Sequence, residues 1–381
     1  MIRVYKTKLN LTNKQCEQFI ANAGCARWAY NYVVGKEIES LKNNKYIPVN
    51  DLRKEVTKLK QTDELSWLYD YDCDCDIVKQ SMKDADRAFK TFFKNKQKSG
   101  FPKFHSKHSS KQSFYVDGVK LKVWSNKIRI PKVGCVKLYE KDYIPTDIKC
   151  YYNPRITFDG IDWFISVGVE EDDPKQILEG EIIGIDLGLK ELATCSNGLV
   201  INNVSKSKRY KKLEKRLKRQ QRQMSRSLER NKIGKKFVKT KNYEKYKRRY
   251  LKITIKMNNL KTDYFNKSIV DIMKTKCSTI GLEDLTVKNM QKNKKLSSSF
   301  QKTSVSQFRS RLIQKATMLG VTISTVSRFF PSSQLCSNCG HVKKELTLAD
   351  RIYKCEHCGL KIDRDLNAAI NLKNTVRSTE I

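Results

Sequence analysis

Residues 182–188 read Ile182-Ile183-Gly184-Ile185-Asp186-Leu187-Gly188, a nearly all-apolar strand with one carboxylate inside it. Strands of this kind are buried on both faces, and this one opens a region in which strands alternate with helices. A lone carboxylate there is expensive to bury. Either Asp186 starts a turn at the strand end, or a cation holds it ionised. A second apolar strand, Thr279-Ile280-Gly281-Leu282, again ends in acids, Glu283-Asp284-Leu285. A third acidic group, Asp363-Arg364-Asp365-Leu366-Asn367-Ala368-Ala369, opens a C-terminal helix. Acids after two strands and on a helix are what two-metal phosphodiester hydrolysis needs, because carboxylates can hold a pair of ions about 3.5–4 Å apart. At this level Glu283 and Asp284, and likewise Asp363 and Asp365, remain alternatives.

Four of the 12 cysteines lie between the second and third acidic groups. Cys336-x2-Cys339 and Cys355-x2-Cys358 are separated by 15 residues, and Gly340 and Gly359 follow the two pairs directly. This is the two-knuckle zinc pattern. With four thiolates the coordination sphere is closed, so one Zn there is structural and activates no water. The other eight cysteines read as free thiols of a reducing compartment. Cys73 and Cys75, separated by one residue, fit no common knuckle.

The first and second acidic groups are separated by a strongly basic segment. Residues 206–256 hold 23 Lys or Arg and three Glu, which is just over half of the chain's net charge of +37. Tyr243, Tyr246, Tyr250, Ile253, Met257, Leu260 and Tyr264 recur at alternating spacings of 3 and 4, the seam of an antiparallel helix pair. The cations on the other faces are left to meet phosphates. A chain of 381 residues with 77 basic against 40 acidic side chains needs a polyanionic partner, which excludes most metabolic enzymes. Its length predicts two to three folded units.

Towards the N-terminus, residues 2–9 alternate as a strand, and the pattern then turns helical to about residue 95. Val78, Met82, Ala85, Phe89 and Phe92 form one apolar stripe. Val119, Leu121 and Val123, then Ile128 and Ile130, alternate with period two. A second hairpin joins 155–158 to 163–169 across Asp159-Gly160. A helical insertion therefore interrupts an antiparallel sheet or barrel. No apolar run approaches 18 residues, and MIRVYKTKLN carries no signal-peptide core, so the protein is expected in the cytoplasm without a membrane partner.

In combination the chain resembles the TnpB family, insertion-sequence-encoded RNA-guided DNA nucleases related to type V CRISPR effectors. The resemblance rests on Ala26-Arg27, Tyr30-Asn31, Gly100-Phe101-Pro102-Lys103-Phe104, Ile128-Arg129-Ile130-Pro131-Lys132, residues 184–188 and 282–285, Pro331-Ser332-Ser333-Gln334 and residues 363–372. It implies a mixed α/β multidomain chain. A wedge β-barrel would comprise 1–12 and 113–178, with a helical recognition lobe inserted at 13–112. An RNase H-like RuvC nuclease domain would occupy 179–335, with its basic helical arm at 206–264. A zinc ribbon at 336–358 and the last RuvC segment at 359–381 would complete it.

The resemblance assigns catalysis and two Mg ions to Asp186, Glu283 and Asp365. Asp365 is preferred over Asp363 because the family's acid directly precedes x-Asn-Ala-Ala. Cys336, Cys339, Cys355 and Cys358 would hold one Zn. The implied partners are a guide RNA derived from the element end and double-stranded target DNA beside a short adjacent motif, with no small-molecule substrate, in a prokaryotic, nucleoid-associated setting. Two alternatives stand beside this. A nuclease-inactive RNA-guided DNA-binding regulator would not need the intact acids. An RNA-independent transposase or resolvase would need a catalytic Tyr or His-rich motif, and the chain has only four His.

Overall fold

Strand β1 (Ile2–Asn10) is the spine of the N-terminal half. The computed structural model describes residues 1–43, 45–70, 73–96, 99–107, 111–177, 179–284, 294–347 and 350–379, in two units, Met1–Asp172 and Asp173–Ile381. After β1, Thr12 caps α1 (Asn13–Lys42) in a reciprocal capping box with Gln15. Helices α2 (Val49–Leu59), α3 (Trp67–Asp70) and α4 (Cys75–Lys94) follow. Then come β2 (Ser113–Tyr115), β3 (Lys122–Val123), β4 (Lys127–Ile130), β5 (Gly134–Leu138), β6 (Tyr152–Phe158) and β7 (Trp163–Glu170). The sheet order is β2-β6-β7-β1-β5-β4-β3, with every ladder antiparallel. Among the described residues no ladder joins β2 to β3, so at the level of hydrogen bonds the expected barrel is a seven-stranded sheet.

Alternation places Phe114, Ile128, Val136, Ile156, Ile165 and Val167 on the buried face, where Phe19 of α1 meets Phe114 and Trp163 edge-on. The other side of α1 buries Ala29, Val33 and Val34 against Val78, Met82, Ala85 and Phe89 of α4, the stripe expected from the sequence. The strand expected from Val119 starts later. Asp117 Oδ1 accepts the N–H groups of Val119 and Lys120, which holds a turn and leaves Val119 exposed.

The C-terminal unit opens with β8 (Glu181–Asp186), β9 (Glu191–Cys195) and β10 (Val200–Asn202). Ser207 caps α5 (Lys208–Arg230), a two-residue ribbon pair, β11 (Lys232–Ile233) and β12 (Lys236–Phe237), follows, and Thr240 caps α6 (Lys241–Met273). Tyr210, Leu213 and Leu217 of α5 pack against Ile253, Met257 and Leu260 of α6, so part of the predicted tyrosine-rich seam is the joint of the helix pair. The chain continues through β13 (Cys277–Glu283), α7 (Lys294–Thr303), α8 (Val305–Met318) and β14 (Thr322–Val326). It ends with β15 (Ile352–Lys354), β16 (Lys361–Asp363) and α9 (Arg364–Thr379).

The main sheet has the order β10-β9-β8-β13-β14. Its pairs β10-β9 and β9-β8 are antiparallel, and β8-β13 and β13-β14 are parallel. Residues 277–282 of β13 are all buried, as a central strand covered on both faces must be. Phe265, Ile269, Ile272, Phe308 and Leu312 cover the sheet from α6 and α8. A separate cluster joins Leu372 and Val376 of α9 to Val326. Among the described residues no helix is long and apolar enough to cross a membrane.

Candidate functional site

Asp186 ends β8, and Glu283 ends the neighbouring parallel strand β13, whose Leu282 pairs with Ile185. Asp365 stands in the first turn of α9, which packs on both strands. The topology thus brings together acids far apart in sequence. Burial pushes the Asp186 carboxyl up to about 7, with repulsion from Asp365 and then Glu283 adding to it, while Arg364 and the Leu187 N–H oppose the rise. Glu283 is raised as well, by burial first and Asp284 second. Three carboxylates offer hard oxygen donors of the kind that suit a divalent cation.

The neighbouring acids have other work. Asp284 pairs with Arg328, and its N–H donates to the Val326 carbonyl. Asp363 Oδ1 accepts the N–H groups of Asp365 and Leu366 at 2.9 and 3.1 Å, capping α9. Leu285, the last residue of the second acidic motif, lies outside the described residues.

What seats α9 over the two strands is a pair of glycines. Gly184 and Gly281 are direct partners across the β8-β13 ladder. A Cβ on Gly184 would lie 2.0 Å from the Ala369 carbonyl oxygen, and one on Gly281 would lie 2.9 Å from Val376 Cγ2 and 3.1 Å from the Leu372 carbonyl oxygen. Only bare backbone lets the helix come this close.

The four cysteines close on one another. Cys336 and Cys358 Sγ are 3.6 Å apart, as are Cys339 and Cys355 Sγ. A tetrahedral site with Zn–S near 2.3 Å places its sulfurs about 3.8 Å apart, whereas a disulfide would need roughly 2.05 Å. The two knuckles repeat one backbone pattern. Cys336 N–H donates to the His341 carbonyl and Gly340 N–H to Cys336; Cys355 N–H donates to Leu360 and Gly359 N–H to Cys355. Gly340 and Gly359 have φ of +74° and +73°. Tyr353, fully buried, donates its hydroxyl to the carbonyls of Gln334 and His341. Asp74, Cys75 and Asp76 also lie close together, but Lys120 pairs with both carboxylates and Asp74 caps α4.

Two asparagines fasten the knuckles to the helix that carries Asp365. Asn367 donates to the Leu335 carbonyl at 2.6 Å and accepts the Ser337 N–H at 3.0 Å. Asn371 donates to the carbonyls of Ser332 and Leu335 at 2.8 and 2.7 Å. Both are almost fully buried. The sequence carries a signal for this pair: two amides four residues apart on the apolar face of Ala-Ala-Ile-Asn-Leu must find partners. The glycine seat and the role of Tyr353 carry no comparable signal.

Residues 164–294 match a family described as "Probable transposase", 306–372 one described as "Cas12f1-like, TNB domain" and 1–45 one described as "Helix-turn-helix domain". In this structure residues 1–45 contain β1 and the single 30-residue helix α1. The protein of Escherichia coli (strain K12) named "Putative RNA-guided DNA endonuclease InsQ" is 27% identical over 97% of this chain and 91% of its own length. A Streptomyces pristinaespiralis protein named "Putative RNA-guided DNA endonuclease" is 27% identical over 97% and 88%. Among solved structures, a Cas12f1-sgRNA-target DNA complex superposes with a TM-score of 0.59 at 16% identity, covering 95% of this chain and 83% of that one. The motifs, the mixed α/β fold shared with Cas12f1 and these sequence relatives agree in making the chain similar to the TnpB (OrfB-type) family over nearly its whole length.

Proposed function

We propose that the protein is an RNA-guided DNA endonuclease of a transposable element. It would cut DNA complementary to a guide RNA from the element end, beside a short target-adjacent motif. The observation that carries this is the convergence of Asp186, Glu283 and Asp365 at the ends of two parallel strands and one helix. The sheet order, three mutually antiparallel strands followed by two strands added in parallel, supports an RNase H-like, RuvC-type domain. The names of the relatives support the substrate class.

Asp186, Glu283 and Asp365 would hold two Mg²⁺ ions, which when bound supply an activated water and charge stabilisation at the leaving 3′ oxygen. The chain's own part is positional. The glycine pair fixes the helix bearing Asp365, Asp363 caps that helix, and Arg328 engages Asp284 beside Glu283. No side-chain nucleophile is needed. The basic arm and N-terminal unit would hold an A-form heteroduplex by its backbone, leaving sequence recognition to base pairing. Zn in the four-cysteine site would be structural.

Intact acids favour a cutting enzyme over a guided binder. The test is to purify the protein from cells, sequence the nucleic acid that accompanies it, and assay cleavage of a target library matched to that RNA. A discrete RNA and Mg-dependent cuts in matched targets are expected; cutting of unmatched DNA without RNA would favour the transposase or resolvase alternative.

A further inference from the structure

One conspicuous motif has no part in the nuclease site: Arg27, with Tyr30 and Asn31, on α1. Arg27 and Tyr30 line a cavity of about 140 Å³ in the N-terminal unit, between α1, α4, the start of β2 and β6, and Asn31 holds a third wall residue, His105. Asn31 reads the His105 peptide in both directions, donating to its carbonyl at 2.8 Å and accepting its N–H at 2.7 Å. The imidazole then stacks on Tyr30 with centroids 3.9 Å apart and planes 4° from parallel. One wall of the cavity is therefore fixed in place.

The charges lining it are unequal. Arg155 is committed, donating to Asp84 at 2.7 Å, and this pair largely cancels. Arg27 is half-buried and, among the described residues, makes no ion pair or hydrogen bond; Lys111 stands exposed at the rim. Among the described residues these two cations have no counter-charge. A half-buried guanidinium is seldom left unpaired, because its desolvation is repaid only by an acceptor, ideally a bidentate one. The cavity is far smaller than the roughly 300–1,000 Å³ of ordinary small-molecule sites. It has room for a phosphate group and its ester oxygens.

We propose that this cavity is a seat for one backbone phosphodiester of the bound nucleic acid, with Arg27 as its main partner and Lys111 at its mouth. The proposal rests on the guided-nuclease function above for the class of ligand, and for the site on the cavity and a half-buried guanidinium that has no partner among the described residues. Guide RNA and target DNA offer the same phosphodiester, so the test has two arms.

Full-length protein and its Arg27→Gln variant are titrated over a range of salt. One arm uses labelled copies of the RNA that co-purifies with the protein; the other gives the protein-RNA complex a matched duplex. In one arm Arg27→Gln should weaken binding about tenfold and make the slope of log K against log[salt] shallower by about 0.7–0.9. Loss in the RNA arm assigns the phosphate to the guide, and loss confined to the duplex arm assigns it to the target. Lys111→Gln should give a smaller loss in the same arm, and it decides the matter if Arg27→Gln melts early. Unchanged affinity and slope in both arms, with wild-type melting, overturn the proposal while leaving the nuclease function standing. A wild-type protein that binds neither nucleic acid overturns both.

Discussion

Cys336 and Cys358 are 22 residues apart and bring their sulfurs to 3.6 Å. Asp186 and Asp365 are 179 residues apart, and Asp365 adds to the cost of charging the buried Asp186. The first centre is made by two copies of one short turn, each closed by its own backbone hydrogen bonds and a positive-φ glycine. The second is made by topology, from the ends of two neighbouring strands and the start of a helix that are remote in sequence. A local centre can be damaged without disturbing the sheet. A dispersed centre depends on everything that positions the strands and helix. α9 belongs to both, with Asp365 in its first turn and Asn367 and Asn371 fastened to the knuckles.

The largest effect should come from the dispersed centre. Asp186→Asn should lower cutting on the order of 10³-fold or more, with RNA and target binding nearly unchanged. The same change should stabilise the metal-free protein. Because folding raises the Asp186 pKa from the ordinary carboxylate range to about 7, the protonated carboxyl is the form the fold favours. Its contribution is fully present below the unfolded value and is lost as pH rises through about 7. Metal-free wild type should therefore melt lower at pH 8 than at pH 5, and Asp186→Asn should flatten that difference. An equal pH slope in both would show that the Asp186 carboxyl, raised by burial first and by repulsion from Asp365 and Glu283 after it, is not what strains the site.

Gly184→Ala comes next. A methyl group 2.0 Å from the Ala369 carbonyl must push α9 off the sheet and carry Asp365 with it. We expect about 100-fold less cutting with zinc content unchanged, or insoluble protein where the helix cannot relocate. Gly281→Ala meets one side-chain methyl and a looser carbonyl contact and should cost less. Cys355→Ser tests the other centre: loss of about one Zn per chain, new protease cleavage between residues 336 and 363, and cutting reduced about tenfold through slackening of the first turn of α9. If Cys355→Ser instead abolished the main melting transition, the knuckles would be part of the sheet's core and not an appendage to it.

The same contrast explains what the sequence disclosed. The zinc cysteines are legible because their spacing is short and the pattern is covalently local. The acids are visible as anomalies, carboxylates at the mouths of apolar strands, but their mutual placement is a property of strand order, which no local pattern encodes. The residues alone left Glu283 beside Asp284 and Asp365 beside Asp363, and the choice of Glu283 and Asp365 came from the family resemblance; in the structure Asp284 pairs with Arg328 and Asp363 caps α9. Val119 misled because alternation alone does not reveal that Asp117 will take the next two N–H groups. Gly184 is silent for a different reason: a glycine's role lies in what comes close to it, here a helix almost two hundred residues later.

The smallest effect is also the one that tests whether the two centres communicate. Asn371→Leu keeps roughly the volume but removes the amide that bonds the carbonyls of Ser332 and Leu335. Leu335 retains Asn367, so one carbonyl is orphaned, a cost of about 1–3 kcal/mol and a fall in Tm of roughly 2–4 °C per kcal/mol for a unit of this size. The cysteines are untouched, and one Zn per chain should remain. If the knuckles brace α9, the loosened first turn should need more Mg²⁺ for half-maximal cutting, by about two- to fivefold, while the rate at saturating Mg²⁺ changes little. An unchanged Mg²⁺ midpoint beside a lowered Tm would mean that the asparagines serve stability alone. A higher midpoint with full zinc occupancy would mean that the local centre's rigidity is passed along one helix to the dispersed centre, which has no short-range structure of its own to supply it.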